Sequence, residues 1–501
     1  MICPHCNSSK VFKKGKIFAK GILKQRYRCN NCNKQFSMPI QQSKTKQMVK
    51  KSRTWVITTA ISNTLTNKRF QESLETYCSV NNAELLIVPI KYKQVDTDDY
   101  AWDKDLEKYF VTNTLVLTPG LKLLGNINIS PSIGNPLSGF EPFSKGDSII
   151  IPHPQLMMKT IAVSHMDKSA MMTTTGSISE PIYTETKQGE KASFNHSFSA
   201  LVIEEDPEID GFHIRVLNSD ETGSFYDLDY YYDGFTFNHN TDIPAIILGD
   251  EHVIHLDPMV KKATFDNADS IIKVLKPKVL VRHDVLDFYS ASHHHKHNVF
   301  TNYAKYVSGK NKVEDELHLT FDYIKSTTPA YSTSVIVSSN HNSHLLRWLN
   351  ECNPKHEPWN AVLYHKLMYL MLDNTRMGTA MTEHPNPFEL WAKHEKNTDH
   401  IQFTSGFESY KINDIELAHH GDIGVNGSRA SAVQYSKLGM KTVIGHSHSP
   451  QIYGGCYAVG HSCYSKLEYN SGPSSWAHAH CIIQPNGKRQ MVFIHDTKWR
   501  R

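Results

Sequence analysis

No run in the 501 residues approaches the roughly 18–20 consecutive apolar residues that a membrane span needs. The basic, cysteine-bearing start has no apolar h-region, so a secretory signal is not expected. Neither a GxxxxGKS/T nor a GxGxxG loop occurs, which removes the common phosphate-cradling nucleotide sites. Cysteine is scarce: four of nine lie in two N-terminal pairs, while Cys78, Cys352, Cys456, Cys463 and Cys481 are scattered and odd in number. That pattern argues against a disulfide framework and for a reducing, cytoplasmic compartment. Acidic residues are missing altogether from residues 1–53, which hold eleven Lys and three Arg. The net charge of +4 therefore divides into a segment at +14 and a remainder at −10. A basic arm on an acidic body suggests a polyanionic partner, most simply nucleic acid, against the alternative of a solubilising tail.

What is present begins with histidine, 29 of them, which raises the expectation of metal chemistry. The apolar content of 39% fits a globular chain of two to four domains.

Cys3 and Cys6, then Cys29 and Cys32, are two CxxC knuckles. Each presents two thiolates from a tight turn, and together they complete a tetrahedral sulfur site for one structural Zn²⁺. Residues 11–16 and 25–29 read as a hairpin, with Phe12, Phe18, Tyr27 and Phe36 as a minimal core. So small a module needs the metal's binding energy to fold. The second knuckle, RYRCNNC at 26–32, resembles ribbons that open some transposase and phage proteins. Its cations and aromatics favour DNA contact, with protein docking as the alternative. The expected layout is a zinc ribbon at 1–40, a basic linker at 41–53, a mixed α/β domain at 54–240 and a further α/β domain at 241–501.

Residues 54–95 read as a βαβ start and 110–240 as mainly β structure. The acidic, aromatic stretch 227–235 reads as a strand and turn, with binding open.

The chemistry concentrates beyond residue 243. Strand-like runs at 243–248, 278–281, 334–338, 414–418 and 441–444 each end in Asp, Asn or His, with helical patterns at 314–324, 343–352, 359–372 and 431–438 between them. The run ends carry Asp250 and His252, Asp284 and Asp287, Asn340 and His341, His419 and His420, and His446 and His448. Carboxyl ends of strands converge on active sites in α/β sheets, so these residues can meet. Two divalent ions clamp a phosphate and activate water; holding them needs a bridging carboxylate, neutral imidazoles and an amide oxygen. A histidine free of metal can then protonate the leaving oxygen.

The order DxH, DxxD, NH, lone His, GHxH resembles the calcineurin-like metallophosphoesterases. The resemblance implies a two-sheet sandwich flanked by helices and two divalent ions. By position, Asp250, His252, Asp284 and His448 match the first ion's ligands, and Asp284, Asn340, His420 and His446 the second's. Asp284 is then the bridge, His341 the proton donor and Asp287 an outer carboxylate, with His419 the alternative to His420. Two departures touch loop geometry: His283 stands where the family usually has Gly, and the third motif reads Ser-Asn-His-Asn. The cluster His293 to His297 could line the site or form an exposed loop.

The segments WVITTA (55–60), LLIVPIKY (85–92), TTTGS (173–177), NGSR (426–429) and YNSGPSSW (469–476) resemble the pre-early host-DNA-degrading (DNA transfer) proteins of certain large tailed phages. That resemblance implies an oligomeric, Mn²⁺-activated DNase in the infected bacterial cytoplasm; Fe or Zn fits the ligands too. The expected reaction is hydrolysis of DNA phosphodiesters by a metal-bridged hydroxide. Arg347 and Arg429 are candidate holders of backbone phosphates, or structural arginines. Trp348 and Trp476 could stack or pack. The rival readings are a phosphatase or nucleotide phosphodiesterase for small substrates, and a non-catalytic DNA-binding takeover protein.

Overall fold

Apolar residues along the strands of the C-terminal half alternate between two cores. Ala245 and Ile247 enter one and Ile246 and Leu248 the other; Cys481 and Ile483 likewise oppose Ile482, and Met491 and Phe493 oppose Val492 and Ile494. A period of two with both faces apolar specifies a sheet covered on both sides. The computed structural model, which describes residues 2–19, 22–39, 46–47, 54–92, 100–164, 169–209, 211–240, 242–376, 386–406, 408–428, 430–468 and 470–499, has that arrangement. The six strands run in the order Ile401–Phe403, Thr333–Ile336, Val279–Arg282, Ala245–Ile247, Ala479–Ile483 and Arg489–Phe493. The first four are mutually parallel, and the last two pair antiparallel.

One face carries helices. Val313–Ser326, Asn340–Glu351, Ala361–Arg376 and Pro387–Glu395 contribute Leu317, Leu345, Leu367 and Trp391 to a core with Ile246, Leu280, Ile336 and Ile482. The other face meets a second large sheet, through Ala245, Val281 and Cys481 on one side and Ile415, Val443 and Tyr457 on the other. That sheet runs Lys411–Ile412, Ile415–Glu416, Lys441–Ile444, Cys456–Ala458, Gln451–Tyr453, Met158–Ile161, Ala170–Thr174, Ser148–Ile151, Leu121–Leu124 and Thr114–Thr118.

Residue 240, expected as a domain boundary, therefore falls within a body whose sheet draws strands from both sides of it. Residues 48–501 cluster as one compact unit. Within it, Thr54–Ile61, Lys68–Val80 and Glu84–Ile90 form the expected βαβ unit, the two strands parallel. The stretch 227–235 also has a structural use: Asp227 is buried, accepting from Arg215 Nε and Nη2 (2.8 Å each) and from Tyr77 Oη at 2.8 Å. The helical pattern at 431–438 yields only the single turn Ala432–Tyr435, capped at its start by Ser431.

Residues 1–47 form the other unit. Strands Val11–Ala19, Ile22–Cys29 and Gln35–Pro39 make an antiparallel sheet, one strand more than expected. The extra strand brings Phe36 onto the Tyr27 ring with centroids 5.5 Å apart. Phe12, expected in the core, is 42% exposed, since so thin a sheet has only one face to cover. The linker at 41–53 lies outside the described residues except for Lys46–Gln47. Among the described residues no helix is long and apolar enough to cross a membrane.

Candidate metal centre

The ladder between the Ala245–Ile247 and Val279–Arg282 strands continues past their carboxyl ends. Leu248 N donates to Val281 O (2.9 Å), Glu251 N to His283 O (3.0 Å), His252 N to Asp284 O (2.8 Å) and Val253 N to Val285 O (3.1 Å). The two loops that carry chemistry thus stay in register with each other. Asp250 is tied from the opposite side, its N donating to Gly460 O at 3.0 Å. His252, Asp284, His446 and His448 all take left-handed backbone conformations, at φ +40°, +44°, +69° and +54°. Non-glycine residues rarely do so, and such strain gathers where side chains must be aimed inward.

The aim is a common point. The ligand atoms of Asp250, His252, Asp284 and His448 all lie within 4.8 Å of one another, and all four residues are buried. His448 Nε2 is 3.0 Å from Asp250 Oδ2 and 3.0 Å from His252 Nε2; His252 Nε2 is 3.7 Å from Asp284 Oδ2. On the far side of Asp284, His420 Nε2 stands 3.0 Å from the same Oδ2. The His420 ring meets the exposed His446 ring edge to face, centroids 5.2 Å apart. His419 instead packs on Tyr435 at 5.8 Å, so of the two neighbours His420 is the one at Asp284.

Several donors here have no protein partner among the described residues: Asp250 Oδ1, Asp284 Oδ1 and Asn340 Oδ1 are buried and unpaired. Leaving carboxylate and amide oxygens so costs several kcal/mol in a folded interior unless a cation answers them. Mixed oxygen and imidazole donors fit a divalent ion of the manganese, iron or zinc kind.

Asp287 orients two rings at once. Its Oδ2 accepts from His252 Nδ1 at 2.8 Å, and its backbone carbonyl accepts from His341 Nδ1 at 2.6 Å. Each bond fixes the tautomer and leaves Nε2 directed inward. His341 Nε2 then lies 3.9 Å from Asp284 Oδ2. Asn340, His341, Asp287 and His255 bound a cavity of about 550 Å³.

Sequence reasoning gave no role to a buried pair behind the loops. Arg282 donates through Nη1 to both Glu251 oxygens (2.9 and 3.1 Å), through Nη2 to Thr327 Oγ1 (2.9 Å) and through Nε to Ser334 Oγ (2.9 Å). Tyr323 Oη adds a bond to Glu251 Oε1 at 2.7 Å. Glu251 stands between Asp250 and His252, and Arg282 precedes His283 and Asp284, so one ion pair pins both loops. The available signal was a charge beside each ligand motif, at the end of an apolar strand.

Electrostatics follow the geometry. Burial works to raise the Asp284 carboxyl, but His420, His341 and His252 hold it well below the usual carboxylate range. Burial works to lower the two imidazoles; Asp287 and Asp284 push His252 up to about 9, and Asp284 pushes His420 up to about 9. Burial leaves His283 pushed down to about 4, a neutral ring beside His420 at an Nδ1–Nδ1 distance of 3.4 Å.

Arg347 is half exposed, donates to Glu351 at 2.7 Å, and lines a neighbouring cavity of about 390 Å³ with His293, His344 and Lys305. Arg429 lies outside the described residues. Trp348 is buried and Trp476 packs edge-on against the ligand ring of His448 at 4.1 Å.

In the N-terminal unit the four thiols converge: Cys3 and Cys32 sulfurs are 3.6 Å apart, Cys6 and Cys29 3.5 Å. Zn–S bonds of about 2.3 Å at tetrahedral angles require a separation of about 3.7 Å, with which these spacings are consistent. His5 N and Asn31 N donate to Cys3 and Cys29 sulfurs at 3.4 and 3.3 Å, and Asn7 and Asn33 turn the chain at φ +54° and +56°.

The chain is 30% identical over 470 residues to Protein A1 of Escherichia phage T5, which covers 90% of this chain and 83% of that protein. No family model matches the chain. No solved structure matches it.

Proposed function

The chain belongs to the family of Protein A1 of Escherichia phage T5, and from that membership and the geometry of the centre we propose that it is a metal-dependent DNase of the calcineurin-like metallophosphoesterase kind, acting as an oligomer on host DNA in the infected cytoplasm. The observation that carries the reading is the pair of unpaired buried oxygens on Asp250 and Asp284 gathered with His252, His420 and His448, with a third such oxygen on Asn340 at the adjoining cavity. Asp250, His252, Asp284 and His448 would hold one divalent ion, and Asp284, Asn340, His420 and His446 a second, Mn²⁺ being the first choice. Bound there, the ions supply Lewis-acid charge and lower the pKa of water.

The protein's own residues do the rest. Asp284 lies between the two ligand sets and is held ionised by its imidazole neighbours, as a bridging ligand must be. His341, oriented by the Asp287 carbonyl, offers Nε2 to the cavity for a leaving alkoxide. Asp287 and the Glu251–Arg282 pair keep these groups from moving when substrate enters. Substrate choice is supported by the basic ribbon and linker: residues 1–53 at +14 on a body at −10 favour a nucleic acid over a small phosphate ester.

The test is cleavage of linear and closed-circular DNA with Mn²⁺, Mg²⁺ or chelator, beside His341→Ala. Metal-dependent cutting that His341→Ala abolishes is expected. Hydrolysis of a generic phosphodiester without DNA cutting would select the small-substrate reading, and DNA binding without any hydrolysis the takeover protein.

A further inference from the structure

A second histidine cluster stands beside this centre, the His344 ring 4.8 Å from that of His341 between centroids. His293 and His294 lie in the turn His293–His295, and His344 lies one helical turn beyond His341 on Asn340–Glu351. Their ring nitrogens come within 4.8 Å of one another. Ring centroids are 3.9 Å apart for His293 and His294, and 4.6 Å for His293 and His344. His293 Nδ1 and His344 Nδ1 are both buried and lack a hydrogen-bond partner among the described residues. Burial and the neighbouring rings push His344 down to about 3 and hold His293 below its ordinary value, so these two rings are neutral near pH 7 and each has a lone pair available.

We propose that His293, His294 and His344 bind a transition-metal ion, Zn²⁺ first, at a site separate from the Asp250–Asp284 centre. Three imidazoles and no carboxylate suit a borderline ion and reject hard ions such as Mg²⁺. They leave the ion with its full double charge. Three protein ligands also leave a tetrahedral ion one open position. His344 borders both cavities, and His294 borders the one that Asn340 and His341 bound, so that position is open to water or an anionic oxygen. On the nuclease reading, and only on it, the anion is a phosphate next to the scissile one, held while His341 faces the leaving group.

Metal-stripped full-length protein is titrated with Zn²⁺ against a chromogenic chelator, comparing wild type, His344→Ala, His294→Ala and Asp284→Asn. His294 is exposed, so His294→Ala tests the site without endangering the fold. Both histidine variants are expected to lose one tight equivalent, or to weaken it by about 100-fold, and Asp284→Asn to retain it. Histidine variants with the wild-type number and affinity of Zn²⁺ equivalents would overturn the site. A raised KM for DNA at unchanged kcat in Zn²⁺-supplemented His294→Ala is expected for the phosphate role. An unchanged KM would remove that role and leave the ion site standing, whatever becomes of the DNase reading.

Discussion

Metal binding at the buried centre must displace protons, and the structure sets how many. His252 and His420 are fully buried among Asp250, Asp284 and Asp287, which keep both rings protonated up to about pH 9 in the metal-free protein. A group raised from 6.5 to about 9 stabilises the fold below pH 6.5 and loses that contribution as pH rises through 9. In chelator, the two rings together therefore cost the fold about 4 kcal/mol between pH 6.5 and 8.5. A ligating imidazole must be neutral, so an ion pays for two deprotonations at pH 6.5 and for little at pH 8.5. The free energy by which metal stabilises the protein should grow by about 5 kcal/mol over that interval. For about 450 residues, with roughly 2.1 cal/mol/K of unfolding entropy each, this is about 5 °C of additional Tm shift. The assay is thermal unfolding at both pH values, in chelator and at constant buffered free Mn²⁺. Groups outside the centre, such as Lys305 and Glu316, titrate in both series and cancel. A metal-induced shift equal at the two pH values, or larger at pH 6.5, would refute the ligand roles of these two histidines.

Replacing Arg282 by Met leaves Glu251 buried without its partner and should cost about 3–5 kcal/mol, read as a lowered Tm, while replacing both members by apolar residues should cost less. Gly445→Ala places a Cβ against Asp250 Oδ1 and 3.0 Å from His283 Cγ; calorimetry should show metal binding at the centre lost while circular dichroism stays unchanged. Cys6→Ser should remove the ribbon's zinc and expose residues 2–39 to limited proteolysis, leaving Mn²⁺ binding by residues 250–448 intact.

The centre was legible because its residues sit where chemistry and chain pattern coincide. Apolar runs of strand length end at Asp250, Asp284 and His446, and polar groups at such ends have little reason to be there except a site. What stayed hidden was mostly non-local. Strand Met158–Ile161 pairs with Gln451–Tyr453 across nearly three hundred residues, and no local signal announces such a partner. His344 on an amphipathic helix reads as one more polar position until the turn at His293 is folded against it. Glu251 and Arg282 could be seen as charges beside the motif residues, but only their mutual distance reveals the pair. The ribbon's third strand escaped notice because Gln35–Pro39 is too short and polar to show a period.

The same long-range pairing bears on how the chain folds while it is being made. As synthesis proceeds from the N-terminus, the Met158–Ile161 strand is complete long before residues 451–453 leave the ribosome. Until then its edge toward Gln451–Tyr453 is unpaired, a template for aggregation that a chaperone would have to shield. His446 and His448, which follow the second-sheet strand Lys441–Ile444, are made after the other four motifs. A topology so rich in distant contacts folds slowly. The nascent chain therefore holds Asp250, His252 and Asp284 with the centre incomplete, and the centre closes only on a finished molecule.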